Sequence, residues 1–215
     1  MSTTVMLMQL GKGTIVTAEI FFLTLLFSLP LGLIVSFGRM AKNPVIRNLS
    51  KIYISIMRGT PLMLQLIVVY FAPFYVFGLK IANYRFPAII LAFAFNYAAY
   101  FAEIYRGGIE SMPIGQYEAA KVLGYHKSQT FFKIILPQVV KRILPSVTNE
   151  TITLVKDTSL AFVLAHAEMF TMAKQIAAKE TSIMPLMVAG LFYYLFNLIV
   201  AGVMEQIEKS MNYYR

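Results

Sequence analysis

The sequence has no cysteine, only two histidines and only 13% charged residues, and each shortage removes a class of function. Without cysteine there is no disulfide, no thiolate nucleophile and no cysteine-based zinc or iron–sulfur site. His126 and His166 are separated by a whole apolar segment, so no metal site is expected. No histidine pair has the HExxH spacing and no serine lies in GxSxG, so an intramembrane enzyme would lack its metal or nucleophile. No catalytic residue is expected. Gly11-Lys12-Gly13-Thr14 lacks the residue order of a phosphate loop, so ATP binding is not expected on this chain, nor any other cofactor.

Apolar residues are abundant: 58% of the chain is hydrophobic and the mean hydropathy is +0.67, too high for a soluble globular domain. Lipid is the expected solvent. The net charge of +9 could suggest nucleic acid, but the basic residues fall between long apolar runs and not on a soluble face. No nucleic-acid partner is expected. The residues up to Gly13 lack the basic region and cleavage site of a secretory signal, so the first apolar run is expected to stay as an anchor.

A helix needs about 20 mostly apolar residues to cross the hydrocarbon, because every backbone polar group must be bonded within the segment. Five runs qualify: 14–37, 61–77, 86–105, 139–160 and 184–204. The fourth is the least apolar, holding Asn149, Glu150, Lys156 and Asp157. Residues 161–181 mix His166, Glu168, Lys174 and Lys179 with apolar residues and read as one or two short interfacial helices. The expected fold is therefore an all-α integral membrane protein, one domain over 1–215 with five transmembrane helices. Arg39, Lys42, Arg47, Lys51 and Arg58 fill the first connection. Arg106, Lys121, Lys127 and Lys133 fill the third, and Lys209 and Arg215 the C-terminus. Cytoplasmic loops hold the excess of Lys and Arg, which puts the N-terminus outside and the C-terminus inside.

The connection 106–137 is longer than two adjacent membrane helices require. Pro113 stands where a helix can begin, Gly124 where a left-handed stop is wanted, and Ser128 where a second helix can be capped. Tyr117, Glu118, Ala119 and Ala120 lie between, and the two alanines allow another backbone to come close while Glu118 offers a charge. Periodicity alone leaves open a docking knob or a surface helix with no partner.

The run Glu118-Ala119-Ala120, three residues, Gly124, nine residues, Ile134, one residue, Leu136-Pro137 resembles the signature loop of the permeases of ATP-binding-cassette importers. Arg58-Gly-Thr-Pro-Leu62 with Gln65, Gly115-Gln116-Tyr117 and Lys156-Asp157-Thr158-Ser159-Leu160 resemble its polar amino-acid branch, and the likeness runs over nearly the whole chain. The resemblance implies a bacterial inner-membrane importer with two permease subunits, alike or related, and two cytoplasmic ATPases. An external binding protein would deliver the amino acid. ATP and magnesium would sit on the partner ATPases, and the 106–137 loop would carry the coupling helix, with Tyr117, Glu118, Ala119, Ala120 and Gly124 at the contact.

Ionisable groups at membrane depth are costly and usually face a bundle interior or a watery path. In the fourth run, Ser146, Asn149, Glu150, Thr153 and Asp157 recur at intervals of three or four and share a helix face. Glu150 and Asp157 stand seven residues apart, about 10 Å along the axis. Two carboxylates at that spacing suit a substrate ammonium and a second cationic group, with Asn149, Thr153 or Asn96 bonding the rest. The pattern also allows Asp157 to pair with Lys156 or with a basic residue of the partner permease, and Glu150 to cap or bridge helices. Gln65 and Asn197 read as interhelical hydrogen bonds, and Glu103 with Arg106 as a local ion pair. An ion-coupled carrier or channel using Glu150 and Asp157 is the rival reading. Acidic residues in the path favour cationic or neutral polar substrates.

Overall fold

The structure, a computed structural model, describes residues 2–80 and 83–211; Arg215 of the basic C-terminus lies outside them. Among the described residues it is entirely helical. Helix α1 (Thr3–Arg39) starts well before the first apolar run, with the Ser2 hydroxyl accepting from Val5 N–H at its N-cap. At 37 residues it is about 55 Å long, longer than the hydrocarbon is thick. Next come α2 (Pro44–Gly59), α3 (Leu62–Phe77) and α4 (Arg85–Glu110). The loop 111–135 holds α5 (Ile114–Val122), the single turn α6 (Lys127–Gln129) and a π-helix (Thr130–Ile135). It runs directly into α7 (Leu136–Asp157). A 3-10 segment (Thr158–Leu164), α8 (Met169–Glu180) and α9 (Met184–Ser210) complete the chain.

Three of these helices, α1, α4 and α9, are long and apolar enough to cross a membrane. Of the other two expected spans, α3 has 16 residues, about 24 Å, and meets α2 at a sharp bend of 112°. The last, α7, is long enough at 22 residues, but its polar face lowers its overall hydropathy. The reading of residues 40–60 as a plain connection is corrected: Asn43 Oδ1 accepts from Val45 N–H, Pro44 opens the first turn, and α2 follows with apolar and basic faces.

The long helices meet through small residues. Along α1, Thr17, Thr24, Ser28, Gly32 and Ser36 form a buried stripe, mostly four residues apart, and α4 answers with Ala88, Ala92, Ala98, Ala99 and Ala102. The hydroxyls of Thr24, Ser28 and Ser36 have no hydrogen-bond partner, so these residues serve by size. At Gly32 a Cβ would lie 2.8 Å from Phe101 Cβ and 3.1 Å from Ala98 O, closer than packed atoms allow. Around this seam Ile20, Phe21, Leu66, Ile89, Phe93, Phe101 and Leu154 make the main core.

The 161–181 region is one 3-10 segment and one α-helix, within the expected one or two short helices. Its anchor is Glu168, fully buried, whose carboxylate accepts from Phe170 N–H (2.6 Å), Thr171 N–H (2.6 Å), Thr171 Oγ1 (2.8 Å) and Tyr193 OH (3.0 Å). It caps α8 and ties it to α9. Burial holds its carboxyl above the ordinary range, against the pull of these donors. The outward faces of α1 and α9 stay apolar, with Ile34 67%, Met187 64% and Ile199 65% exposed, as surfaces that meet lipid or another apolar chain require.

Gly32→Leu should therefore overpack the α1–α4 seam and cost about 1–3 kcal/mol, read as a lower thermal midpoint in detergent. Gly202→Ala, where an added Cβ meets nothing, should change stability by less than about 1 kcal/mol.

Candidate functional site

Thr60, Pro61 and Leu62 between α2 and α3, Asn96, Tyr97 and Tyr100 on α4, Glu150, Thr153 and Asp157 on α7, and Leu160 beyond it enclose a recess of about 400 Å³. Small-molecule sites span about 300–1,000 Å³. Four of the five expected substrate residues meet here: Glu150, Asp157, Thr153 and Asn96. Asn149 does not line the recess, because it lies about 80–100° round α7 from the two carboxylates. Its carbonyl instead accepts from Thr153 Oγ1 (2.9 Å).

Each lining group is held differently. Asp157 Oδ2 accepts from Tyr97 OH at 2.7 Å, and no ion pair joins it to Lys156 within 4.0 Å among the described residues. Asn96 is buried, and its Nδ2 donates to Met57 O (2.9 Å) and Gln65 Oε1 (3.0 Å), so both of its N–H groups are used by the protein itself. Gln65 Nε2 donates in turn to Met57 O (3.0 Å), Thr60 O (3.2 Å) and Thr60 Oγ1 (2.8 Å). The bend between α2 and α3 frees carbonyls that an unbroken helix would bond internally, and these two amides occupy them. Gln65 thus makes the interhelical bond its position suggests, while Asn197 Oδ1 is left without a partner.

Tyr97, Tyr100 and Thr60 are lining residues that the sequence reading missed. The signal for the tyrosines was their place beside Asn96 on one face of an apolar helix, where a phenol needs a polar neighbour. Arg58, at the end of the first basic connection, has its guanidinium over the Tyr100 ring, 5.2 Å from the centroid. Farther along α4, Arg106 pairs with Glu103 at 2.6 Å as expected, and Arg39 of α1 approaches the same carboxylate at 3.8 Å.

The loop forms the second functional region. Gly124 adopts φ +80°, the left-handed stop its position calls for. The next helix is not capped by Ser128: it starts at Lys127, with Gln129 Oε1 accepting from His126 N–H (3.0 Å). Glu118 and Ala119 are exposed, as are Ile114 (73%), Val122 (88%) and Leu123 (73%). Ala120 is 1% exposed, so it faces this chain and not outward. Tyr117 lies on the other side of the unit, lining a cavity of about 600 Å³ with Lys121, Tyr125, His126 and Phe131.

Residues 28–213 match the family described as the inner membrane component of binding-protein-dependent transport systems. The chain belongs to that family. This permease component is 36% identical over 202 residues to a putative glutamine transport system permease protein of Rickettsia conorii, covering 93% of this chain and 91% of the relative. It is 34% identical over 208 residues to the L-cystine transport system permease of Bacillus subtilis, covering 95% and 87%. In structure it resembles an amino acid ABC transporter crystallised with histidines, at 30% identity and TM-score 0.85 over 94% of both chains. A methionine ABC transporter in an inward-facing conformation shares the fold at 17% identity, with TM-score 0.78 over 99% of this chain and all of the other.

Asn96→Leu should leave Gln65 Oε1 without its donor and Met57 O with Gln65 Nε2 alone, and lower stability by about 1–3 kcal/mol. Thermal unfolding of the purified permease in detergent measures this.

Proposed function

We propose that this permease component imports an amino acid and that the recess between α4 and α7 is where the substrate passes. The observation that carries the reading is the pair of carboxylates, Glu150 and Asp157, on one wall of a recess lined also by Thr153 and two tyrosines. Relatives named for glutamine, cystine and arginine permeases support the amino-acid class. One carboxylate receives the substrate's ammonium, and the Tyr100 hydroxyl donates to the substrate's carboxylate, since Thr153 Oγ1 and Tyr97 OH already donate to Asn149 O and Asp157 Oδ2. Asn96 acts through the α2–α3 elbow, and Asn149 stands at the edge of the path. Neither carboxylate has an ion-pair partner within 4.0 Å among the described residues, which favours cationic or neutral polar substrates. The carrier or channel alternative is not favoured, since the family works with a binding protein.

In this reading the chain is a single multi-pass domain with five spans, with α3 and α7 completing the set begun by α1, α4 and α9. The N-terminus lies outside the inner membrane and the C-terminus in the cytoplasm. The functional unit holds two copies of this permease, or this one and a related one, with two cytoplasmic ATPases and an external binding protein. ATP and magnesium belong to the ATPases. Glu118, Ala119, Val122 and Leu123 form the outward face that meets the ATPase, Gly124 ends the helix there, and Ala120 and Tyr117 shape it from behind. Closure of the ATPases moves this unit and switches the recess between the two sides of the membrane, a rigid-body change between two states.

With the complete transporter in proteoliposomes, Glu150→Gln should weaken apparent substrate affinity by about 10- to 100-fold, the worth of a charge-assisted hydrogen bond. Unchanged affinity and maximal rate would remove Glu150 from the path. Ala119→Arg should leave the permease in the membrane but abolish uptake, because a long cation enters the contact face; normal uptake would remove α5 from the ATPase contact.

A further inference from the structure

If α5 receives the motion of an ATPase, as proposed above, that motion must reach α7, which carries the recess carboxylates. The covalent route runs through Leu123–Gly124, the single turn α6 and the π-helix Thr130–Ile135. The loose joint of that route is Gly124, left-handed and the least restricted residue in it, while the π-helix continues without a break into α7.

A shorter, stiffer route crosses from helix to helix. Gln116 Nε2 on α5 donates to Gln138 Oε1 on α7 at 2.8 Å, and Gln138 Nε2 donates back to Gln116 Oε1 at 2.7 Å. The second N–H of Gln138 donates to Ile134 O at 2.7 Å, so this amide is fixed on both sides. Both side chains are half-buried, beside the apolar cluster of Met112, Ile135 and Val139. Two reciprocal hydrogen bonds between the same pair of amides resist sliding as well as separation, which a single bond or an apolar contact does less well. Gln138 and Glu150 stand on the same helix, about 18 Å apart along its axis.

We propose that the reciprocal Gln116–Gln138 amide pair is the clasp that passes displacement of α5 to α7, making both glutamines positioning residues for coupling. The clasp is neutral, so it holds without a buried charge. A chain with its clasp removed still folds around the Met112–Ile135–Val139 cluster and still meets the ATPase through exposed residues of α5. It then spends ATP without moving the recess.

The test uses the complete transporter in proteoliposomes, with ATPase subunits stripped of cysteine; this chain has none of its own. Gln138→Leu should retain ATPase association while ATP hydrolysed per substrate imported rises at least about fivefold. A Gln116→Cys/Gln138→Cys double variant should be similarly uncoupled when free. It should return to within twofold of the parent ratio when bridged by a short cleavable bis-thiosulfonate linker, and lose that gain when the linker is reduced. A parent-like ratio in Gln138→Leu, or no gain on bridging, overturns the clasp; where Gln138→Leu fails to assemble, the bridged and cleaved states of the double variant decide. Ala119→Arg run alongside separates the two readings. If it blocks uptake while the clasp variants stay coupled, the clasp alone falls; if it also transports normally, the assignment of α5 falls with it.

Discussion

The close approach of α1 and α4 is the constraint on which the rest of the structure depends. In an apolar solvent, burial of apolar side chains gives helices little reason to associate, so contact must come from dispersion between backbones brought near by small residues. The stripe from Thr17 to Ser36 and the alanines of α4 provide that contact. With α4 fixed, three things are positioned at once. Asn96 reaches the broken end of α2, Tyr97 reaches Asp157, and Glu103 stands where Arg106 and Arg39 converge on it.

The recess shows how polar groups are managed at this depth. The groups that shape it are neutral and satisfied: two amides close the α2–α3 elbow, and the Tyr97 hydroxyl orients Asp157. Glu150 has no such internal partner within ion-pairing distance among the described residues. The division is chemically sensible, since a wall that binds a passing solute must keep some of its hydrogen-bonding capacity unspent while the frame behind it keeps none.

Much of this was legible in the sequence, for definite reasons. Glu150, Thr153 and Asp157 follow from helical spacing because α7 is regular there, and the left-handed Gly124 follows from the cost of that conformation for any other residue. Asn149 belongs to the same spacing but falls at the edge of the stripe, where a step of 100° decides whether a side chain faces in or aside. Asn96 stood out as a polar residue in an apolar helix, but its bonds to the elbow were hidden, since its acceptors exist only because α2 breaks from α3 at 112°. Residues 44–59 escaped because a search for unbroken apolar runs passes over a helix that alternates apolar and basic faces. The π-helix was not legible: Thr130–Ile135 reads as part of an ordinary apolar helix leading to Pro137, and its wider bonding, as of Leu136 N–H to Phe131 O, shows only in the structure.

Ala120 carries a consequence of its own. It closes the most recognisable tripeptide in the chain and yet is turned inward, while Ala119 beside it is turned outward. One short helix therefore answers to two different neighbours through adjacent residues of the same kind. Under the proposed assembly, its outer residues are free to drift in step with a changing motor subunit, while the inner ones are held by the chain's own folding. Permeases of this architecture could then exchange motors over evolutionary time by altering a few exposed positions, with the helix itself and its seat on α7 inherited unchanged.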